Sequence, residues 1–427
     1  MRLLTLGCIV GAIVCQAASG FGAPDGRAVA ESPPLDSSQS GRLLDDARDG
    51  RLDEFGLVEA ALIAGGIDRE SERNKCCARF RAICASSLIH AESTGRDMTP
   101  ETPLQERART LFRFMHQQVL TGEYQLEATQ FSRTLQSGAY NCVTATILFN
   151  SLCEAHGLAA TAVATKGHVF SRIHEPDTFD IQTTCSQWFE SSAAQGEQVR
   201  SEGSGREISA VQLIGKIYYN RAVSELNLKH FAEAVGYLKL SLLLDPADPS
   251  AYENLLAALN NWSLHECRDS QFARAAELVR QGLAIDPDYP PLRVNDVHVH
   301  QQWAVSLCDR GRHEAAIGLL ERGYARRPAA DLFDRGRYAV CSLWAESLLR
   351  HGRTDSAWQV LTDARRRFNA DPGWLPYEEK TIASIAQECE RQRDLQQAVT
   401  RLKRGLELQP GSASLRRRLR DLTEQEL

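Results

Sequence analysis

Phe272-Ala-Arg-Ala275-Ala-Glu-Leu-Val279-Arg-Gln-Gly282-Leu-Ala-Ile-Asp-Pro287 decides the fold of half this chain, because its pattern returns at a fixed interval. Ala275 has counterparts at Ala234, Ala316, Ala357 and Ala398, each 41 residues from the next. Val279 belongs to a column of large apolar residues with Leu238, Leu320, Leu361 and Leu402. Gly282 belongs to a column of small ones with Ser241, Gly323, Ala364 and Gly405. Positions 275, 279 and 282 lie on one face of a helix. The helix ends carry Pro246, Pro287, Pro328, Asn369 and Pro410. Upstream, Trp262, Trp303 and Trp344 keep the same register, each followed by a small residue, Ser263, Ala304 or Ala345. No insertion breaks any column. Small residues at fixed positions let paired helices approach closely, and each pair buries its remaining apolar face on its neighbours.

The aromatic–small pair, the later alanine and the closing proline resemble the tetratricopeptide repeat. That repeat has a usual period of about 34 residues, so each unit here carries about two extra helical turns. The gaps place them before the Trp, which lengthens the first helix of each pair. The reading is five repeats over 212–412 and a polar, Arg/Glu-rich capping helix over 413–427. The resemblance implies an all-α solenoid that presents a surface to a protein or peptide partner.

At 427 residues the chain is too long for one ordinary core, so further domains precede the repeats. Arg2, the apolar run Leu3–Val14 and the small residues at 17–20 read as a secretory signal peptide over 1–20. The expected location is therefore exported, periplasmic or secreted, with no integral membrane span once the signal is removed. Residues 21–41 are small, polar and Pro-containing and read as a disordered tether. A net charge of −6 gives no electrostatic footprint for nucleic acid. The Arg365–Arg367 and Arg416–Arg418 runs read as solvated helix faces. The cysteines form no CxxC pair, and Cys76, Cys77, Cys84, Cys267 and Cys308 read as packing thiols.

Between the tether and the repeats, 42–189 reads as one α+β domain with a helical N-terminal elaboration. Leu104, Ala108, Leu111, Phe112, Met115 and Val119 share one helical face after Thr102-Pro103. Residues 142–156 form a second helix closed by Gly157, and strand-like runs follow at 159–165, 168–173 and 178–184. The turn between the last two lies at His174–Asp177. Residues 190–211, rich in Ser, Gly, Glu and Gln, read as a linker.

Cys142 sits where the loop Gly138-Ala-Tyr-Asn141 becomes a helix. A thiolate there is stabilised by free backbone N–H groups and the helix dipole, which lowers its pKa. A reactive cysteine needs a base, supplied by His168 at the start of a strand, and the base needs an orienting partner. Asp180 and Gln182 lie on the same face of the next strand. With the turn centred near Glu175–Pro176, His168 faces Gln182 or Thr184, and Asp180 faces Phe170 or Arg172. Gln182 therefore fits better as the orienter, and Asp180 as a partner of Arg172. Cys153 and Cys185 read as core or loop thiols, with Cys185 able to compete for oxidation.

The segments Gly138–Phe149, Gly167-His168-Val-Phe170 and Phe179–Thr184 resemble the transglutaminase-like superfamily, which has a papain-like arrangement. The resemblance covers roughly residues 100–190. It implies Cys142 as nucleophile, His168 as base and position 182 as the acid; this chain departs there by carrying an amide, which counts against efficient turnover unless Asp180 substitutes. The fold class expected is thus a papain-like/transglutaminase-like α+β domain followed by a tetratricopeptide-type solenoid. The function expected is an exported thiol enzyme cleaving or transferring an amide or peptide bond, with repeats recruiting a partner. The alternative is a domain without turnover in a scaffold protein, favoured by the amide at 182. There is no P-loop and no dinucleotide fingerprint, so no cofactor is expected. Nor is a metal: His298 and His300 are two apart on a helix and do not share a face. Asn261-Trp-Ser263 is a glycosylation sequon in a repeat helix, expected to be buried or inaccessible.

Overall fold

The computed structural model describes residues 39–174, 178–189, 205–327, 330–368 and 371–424. The signal peptide, nearly all of the tether, Pro328, Asn369 and most of the His174–Asp177 turn lie outside the described residues. Two compact units divide the chain. One comprises the residues up to Ser224 with Gly236–Glu253, the other Glu225–Val235 with Asn254 onward.

The first unit is built on helices α1 (Gln39–Asp46), α2 (Leu57–Ala64), α3 (Glu70–Ser93), α4 (Leu104–Phe114), α5 (Phe131–Ser137) and α6 (Cys142–Ala155). Every residue of α6 from Cys142 to Cys153 is buried. A helix buried on every side is a core helix, and α2, α4 and α5 as well as the sheet pack on this one. Phe112, Phe131, Phe149, Leu62 and Met115 are among the large side chains sealed there. The face expected for 104–119 is present, but the helix changes character at its end. Residues Met115–Val119 form a π turn, with Leu120 N–H bonded to the Met115 carbonyl at 2.8 Å.

The antiparallel sheet has the order β3-β2-β1-β4, with β1 Ala160–Thr165, β2 His168–Ile173, β3 Phe179–Ile181 and β4 Arg206–Ile208. Thr165 pairs with His168 across the two-residue turn Lys166-Gly167, whose glycine has φ +83°. Such tight hairpin turns need positive φ, and this one fixes where β2 begins. Strand β3 stops at Ile181, short of the run expected to Thr184. The linker expected over 190–211 is corrected where it is described. Residues 206–208 pair with β1 as an edge strand, and helix α7 starts at Ala210. Backbone pairing needs no apolar side chains, so three residues in a polar stretch suffice. At the tether's end, residues 39–41 are already helical.

From residue 210 the chain is helical: α7 (Ala210–Asn227), α8 (Phe231–Leu244), α9 (Pro249–Arg268), α10 (Phe272–Ile285), α11 (Pro290–Asp309) and α12 (His313–Arg326). Then follow α13 (Asp331–Arg350), α14 (Thr354–Phe368), α15 (Leu375–Arg391), α16 (Leu395–Leu408) and α17 (Ala413–Glu424). The second helices of the pairs start at 231, 272, 313, 354 and 395, in step with the sequence period. The first helices α9, α11 and α13 are 20 residues long, against 14 for α10 and α12. All five column alanines are 0% exposed, which is why nothing larger stands there. In the second unit the small column has a direct cause. A Cβ on Gly282 would collide with Leu292, on Gly323 with Phe333, and on Gly405 with Ile382. Each second helix lies that close to the first helix of a pair.

Two surface readings change. Arg365 reaches the fully buried Glu378 at 2.6 Å and the Leu408 carbonyl, and Arg367 pairs with Glu321 and Glu314. That run is thus partly an internal clasp, with Arg366 left in solvent. Asn261 is exposed while Ser263 of the same tripeptide is 0% exposed, since residues two apart point to different sides of a helix.

Candidate active site

The start of α6 is capped by its own sequence. Asn141 Oδ1 accepts from the Thr144 backbone N–H at 3.0 Å, and Thr144 Oγ1 accepts from the Asn141 N–H at 3.0 Å. This reciprocal box leaves Cys142 as the first residue of the helix. Cys142 is 8% exposed. Burial pushes the thiol up, but a hydrogen bond from His168, that residue's charge, and backbone hydrogen bonds at Val169 and Val143 outweigh it. The net effect holds the thiol below its ordinary value.

His168 opens β2, and its Nε2 lies 2.7 Å from Gln182 Oε1. An amide oxygen only accepts, so Nε2 carries the hydrogen and Nδ1 is the ring nitrogen left to exchange a proton with the thiol. Asp180 does not enter this group. It pairs with Arg172 in register, and the guanidinium holds its carboxylate in two bonds of 2.6 and 3.0 Å. Arg172 also reaches Glu207 on β4 at 2.8 Å, tying three strands together, and its hydrogen bonds to Asp180 and then to Glu207 raise its own pKa.

Gln182 lies just past β3, and the next residue anchors it. Thr183 Oγ1 is 2.9 Å from Thr146 Oγ1, and His116 Nε2 is 3.1 Å from the Thr183 carbonyl. Thr146 stands one turn along α6 from Cys142, so one hydroxyl pair joins the helix of Cys142 to the segment that carries Gln182. Both threonines are 0% exposed. His116 sits in the π turn, and its burial holds the imidazole down at about 4.

Tyr124, which the sequence reading passes over, lies beside the thiol: burial, then the neighbouring Cys142 charge, raise the pKa of its phenol. Residues 122–125 run beside 138–141, with Tyr124 opposite Tyr140. The two backbones cross at Gly122 and Gly138. A Cβ on Gly122 would meet the Ala139 nitrogen at 2.7 Å, and Gly138 has φ +72°. The only prior sign was Gly-x-Tyr at 122–124 mirroring Gly-x-Tyr at 138–140. Cys153 is fully buried and its thiol is pushed far up, while Cys185 is half-buried near Tyr140. Cys267 is buried and Cys308 is half-buried, its thiol pushed up to about 11 by burial.

Among the described residues no group of three or more His, Cys, Asp or Glu is placed to hold a metal. His300 is buried, its Nδ1 2.8 Å from the Asp296 carbonyl oxygen, whereas His298 is half-exposed. No helix among the described residues is long and apolar enough to cross a membrane.

No protein-family model matches the chain, and no curated protein matches it. Solved structures that resemble it include YrrB, a tetratricopeptide-repeat protein described with an unusual peptide-binding site. It is 13% identical over 49% of this chain and 91% of its own, with a TM-score of 0.18. A thermophilic tetratricopeptide-repeat protein of Thermus thermophilus, TTC0263, is 15% identical over 49% of this chain and 98% of its own, with a TM-score of 0.18. Menin, described with its binding site for the Mixed Lineage Leukemia protein, is 13% identical over 91% of this chain and 97% of its own, with a TM-score of 0.37.

Proposed function

We propose that this chain is a protein-interaction protein whose helical repeats, of tetratricopeptide type, hold a protein or peptide partner. The observation that carries this reading is a set of exposed apolar side chains on the first helices. Val294 and Val305 on α11 are 63% and 43% exposed, and Leu343 on α13 is 42% exposed. Val294 and Val305 are three turns apart and share a face. Apolar side chains on a repeat surface are area that association removes from water. A photo-crosslinking residue at Val294 or Leu343, compared with one at the exposed Glu277 on α10, tests it. A discrete adduct from the first two positions supports the reading; equal or absent crosslinking at all three sinks it.

One contact favours a second function, the thiol–imidazole pair. In this reading the first unit is a transglutaminase-like thiol site acting on a peptide or amide substrate. The Cys142 thiolate attacks the carbonyl carbon, forming the C–S bond while the carbonyl electrons move onto oxygen. Backbone N–H groups at the start of α6 stabilise that oxyanion. His168 gives its proton to the leaving amine as the C–N bond breaks, and water or a second amine resolves the thioester. Gln182 holds the ring tautomer without adding a charge. The resemblance of the Cys142, His168 and Gln182 segments to the transglutaminase-like superfamily supports this chemistry. Arg2 and the Leu3–Val14 run support export. Iodoacetamide labelling of Cys142 against pH tests the pair. Labelling that persists well below pH ~8 and falls in His168→Ala supports it, and labelling indifferent to that change leaves only the binding function.

A further inference from the structure

We propose that the Tyr124 phenol is a third member of the thiol site, donating a hydrogen bond to the Cys142 thiolate and so stabilising from the sulfur side an ion pair that the neutral Gln182 amide supports only weakly from the imidazole side. The proposal rests on reading the Cys142–His168 contact as a thiolate–imidazolium pair.

The backbone brings Tyr124 beside the start of α6. Gly122 N–H donates to the Gly138 carbonyl at 3.2 Å, Tyr140 N–H to the Glu123 carbonyl at 3.4 Å, and Gln125 N–H to the Tyr140 carbonyl at 2.9 Å. Asn141 Nδ2 donates to the Leu126 carbonyl at 3.2 Å. The residue that caps the nucleophile's helix thus also holds the segment that carries Tyr124. The Tyr124 ring meets the Tyr140 ring edge-on, 5.8 Å between centroids and 80° between planes. Tyr124 and Cys142 are therefore held close together by one short ladder, Tyr124 standing opposite Tyr140, two residues before the thiol.

The chemistry explains the need. A carboxylate at position 182 would stabilise an imidazolium by its charge, and an amide offers only a dipole. A donor on the sulfur favours the same charge-separated state by lowering the thiolate's energy. The phenol is suited to this because it does not ionise in the working range. Burial, then the neighbouring Cys142 charge, raise its pKa, so it stays a donor. The titratable groups around the thiol are Tyr124 and, from β2, His168. One step out stand Tyr140, His116 from the π turn, and Cys185.

The experiment is the pH profile of Cys142 alkylation by iodoacetamide in the full chain. Wild type is compared with Tyr124→Phe, Tyr140→Phe and His168→Ala. Tyr124→Phe keeps the ring on a residue 45% exposed, so the fold is retained. The expected result is a midpoint moved upward, with labelling at pH 6 reduced about three- to tenfold and the high-pH plateau unchanged. Tyr140→Phe leaves the midpoint in place, and adding Gln182→Glu to Tyr124→Phe returns it toward wild type. A Tyr124→Phe profile superimposed on wild type, or shifted downward, overturns the proposal. If His168→Ala moves the profile and Tyr124→Phe does not, the thiol–imidazole pair stands and the phenol has no part. If His168→Ala leaves the profile unmoved, the pair itself falls, and with it the basis of this proposal.

Discussion

Gln182 Oε1 accepts from His168 Nε2 at 2.7 Å, while the carboxylate two residues earlier on the chain, Asp180, is held by Arg172. An acid and an amide within reach of one hairpin are thereby sorted by register. The acid closes an ion pair across the sheet, and the amide faces the imidazole.

Gln182→Glu should raise the imidazolium fraction and lower the midpoint of Cys142 alkylation. A tenfold gain at pH 6 corresponds to about 1.4 kcal/mol. Gln182→Leu removes the acceptor and should lower labelling at the same pH. The pH–rate profiles of both variants check this, and identical profiles would show that position 182 does not act on the ring.

Asp180→Asn should leave alkylation unchanged and loosen the sheet. The carboxylate and guanidinium are 29% and 24% exposed, so losing the charged pair costs about 1–2 kcal/mol. Urea unfolding measures the loss, and a change in the alkylation midpoint would place Asp180 in the site after all.

His116 gives stability a pH dependence of defined sign. Its folded value of about 4 lies below the ordinary 6.5, so the unfolded chain binds the proton first. The stabilisation is complete above pH 6.5 and is lost as pH falls from there toward 4. Between pH 7 and pH 5 the loss is about 2 kcal/mol. Urea midpoints at both values should converge in His116→Asn relative to wild type. An unchanged pH dependence would assign the acid sensitivity elsewhere.

Two glycines on α12 should respond oppositely to alanine. At Gly323 the new methyl runs into the Phe333 ring, and overpacking of this kind costs about 1–3 kcal/mol. At Gly318 only the far end of the Arg322 side chain lies near, at 3.6 Å, so helix propensity dominates and the change stabilises by about 0.5–1 kcal/mol. Thermal melts of the two variants compare them, and shifts of the same sign would refute the packing argument.

Much of the repeat array was legible because a helix is a local object. Ala275, Val279 and Gly282 announce one face by spacing alone, and their 41-residue recurrence announces the pairs. The second-helix starts at 231, 272, 313, 354 and 395 follow from that recurrence. The cap on α6 was equally local, since Asn141 and Thr144 are three residues apart. Strand β4 was not legible. Arg206–Ile208 is placed by backbone pairing to a strand some forty residues earlier, and a polar edge strand carries no periodicity of its own.

The site divides along the same line. Local sequence dictates that Cys142 begins a helix and that His168 opens a strand, because capping and turn chemistry act over two to four residues. It narrows the partner of the His168 ring to Gln182 or Asp180, since a hairpin's register follows from its turn. That His116, Tyr124 and Thr183 surround them is a property of the packed fold alone. Those residues arrive from a π turn, a glycine crossing and the chain beyond β3. Contacts between segments distant in sequence depend on how helices and sheet pack, and side-chain spacing along any one segment does not record that packing.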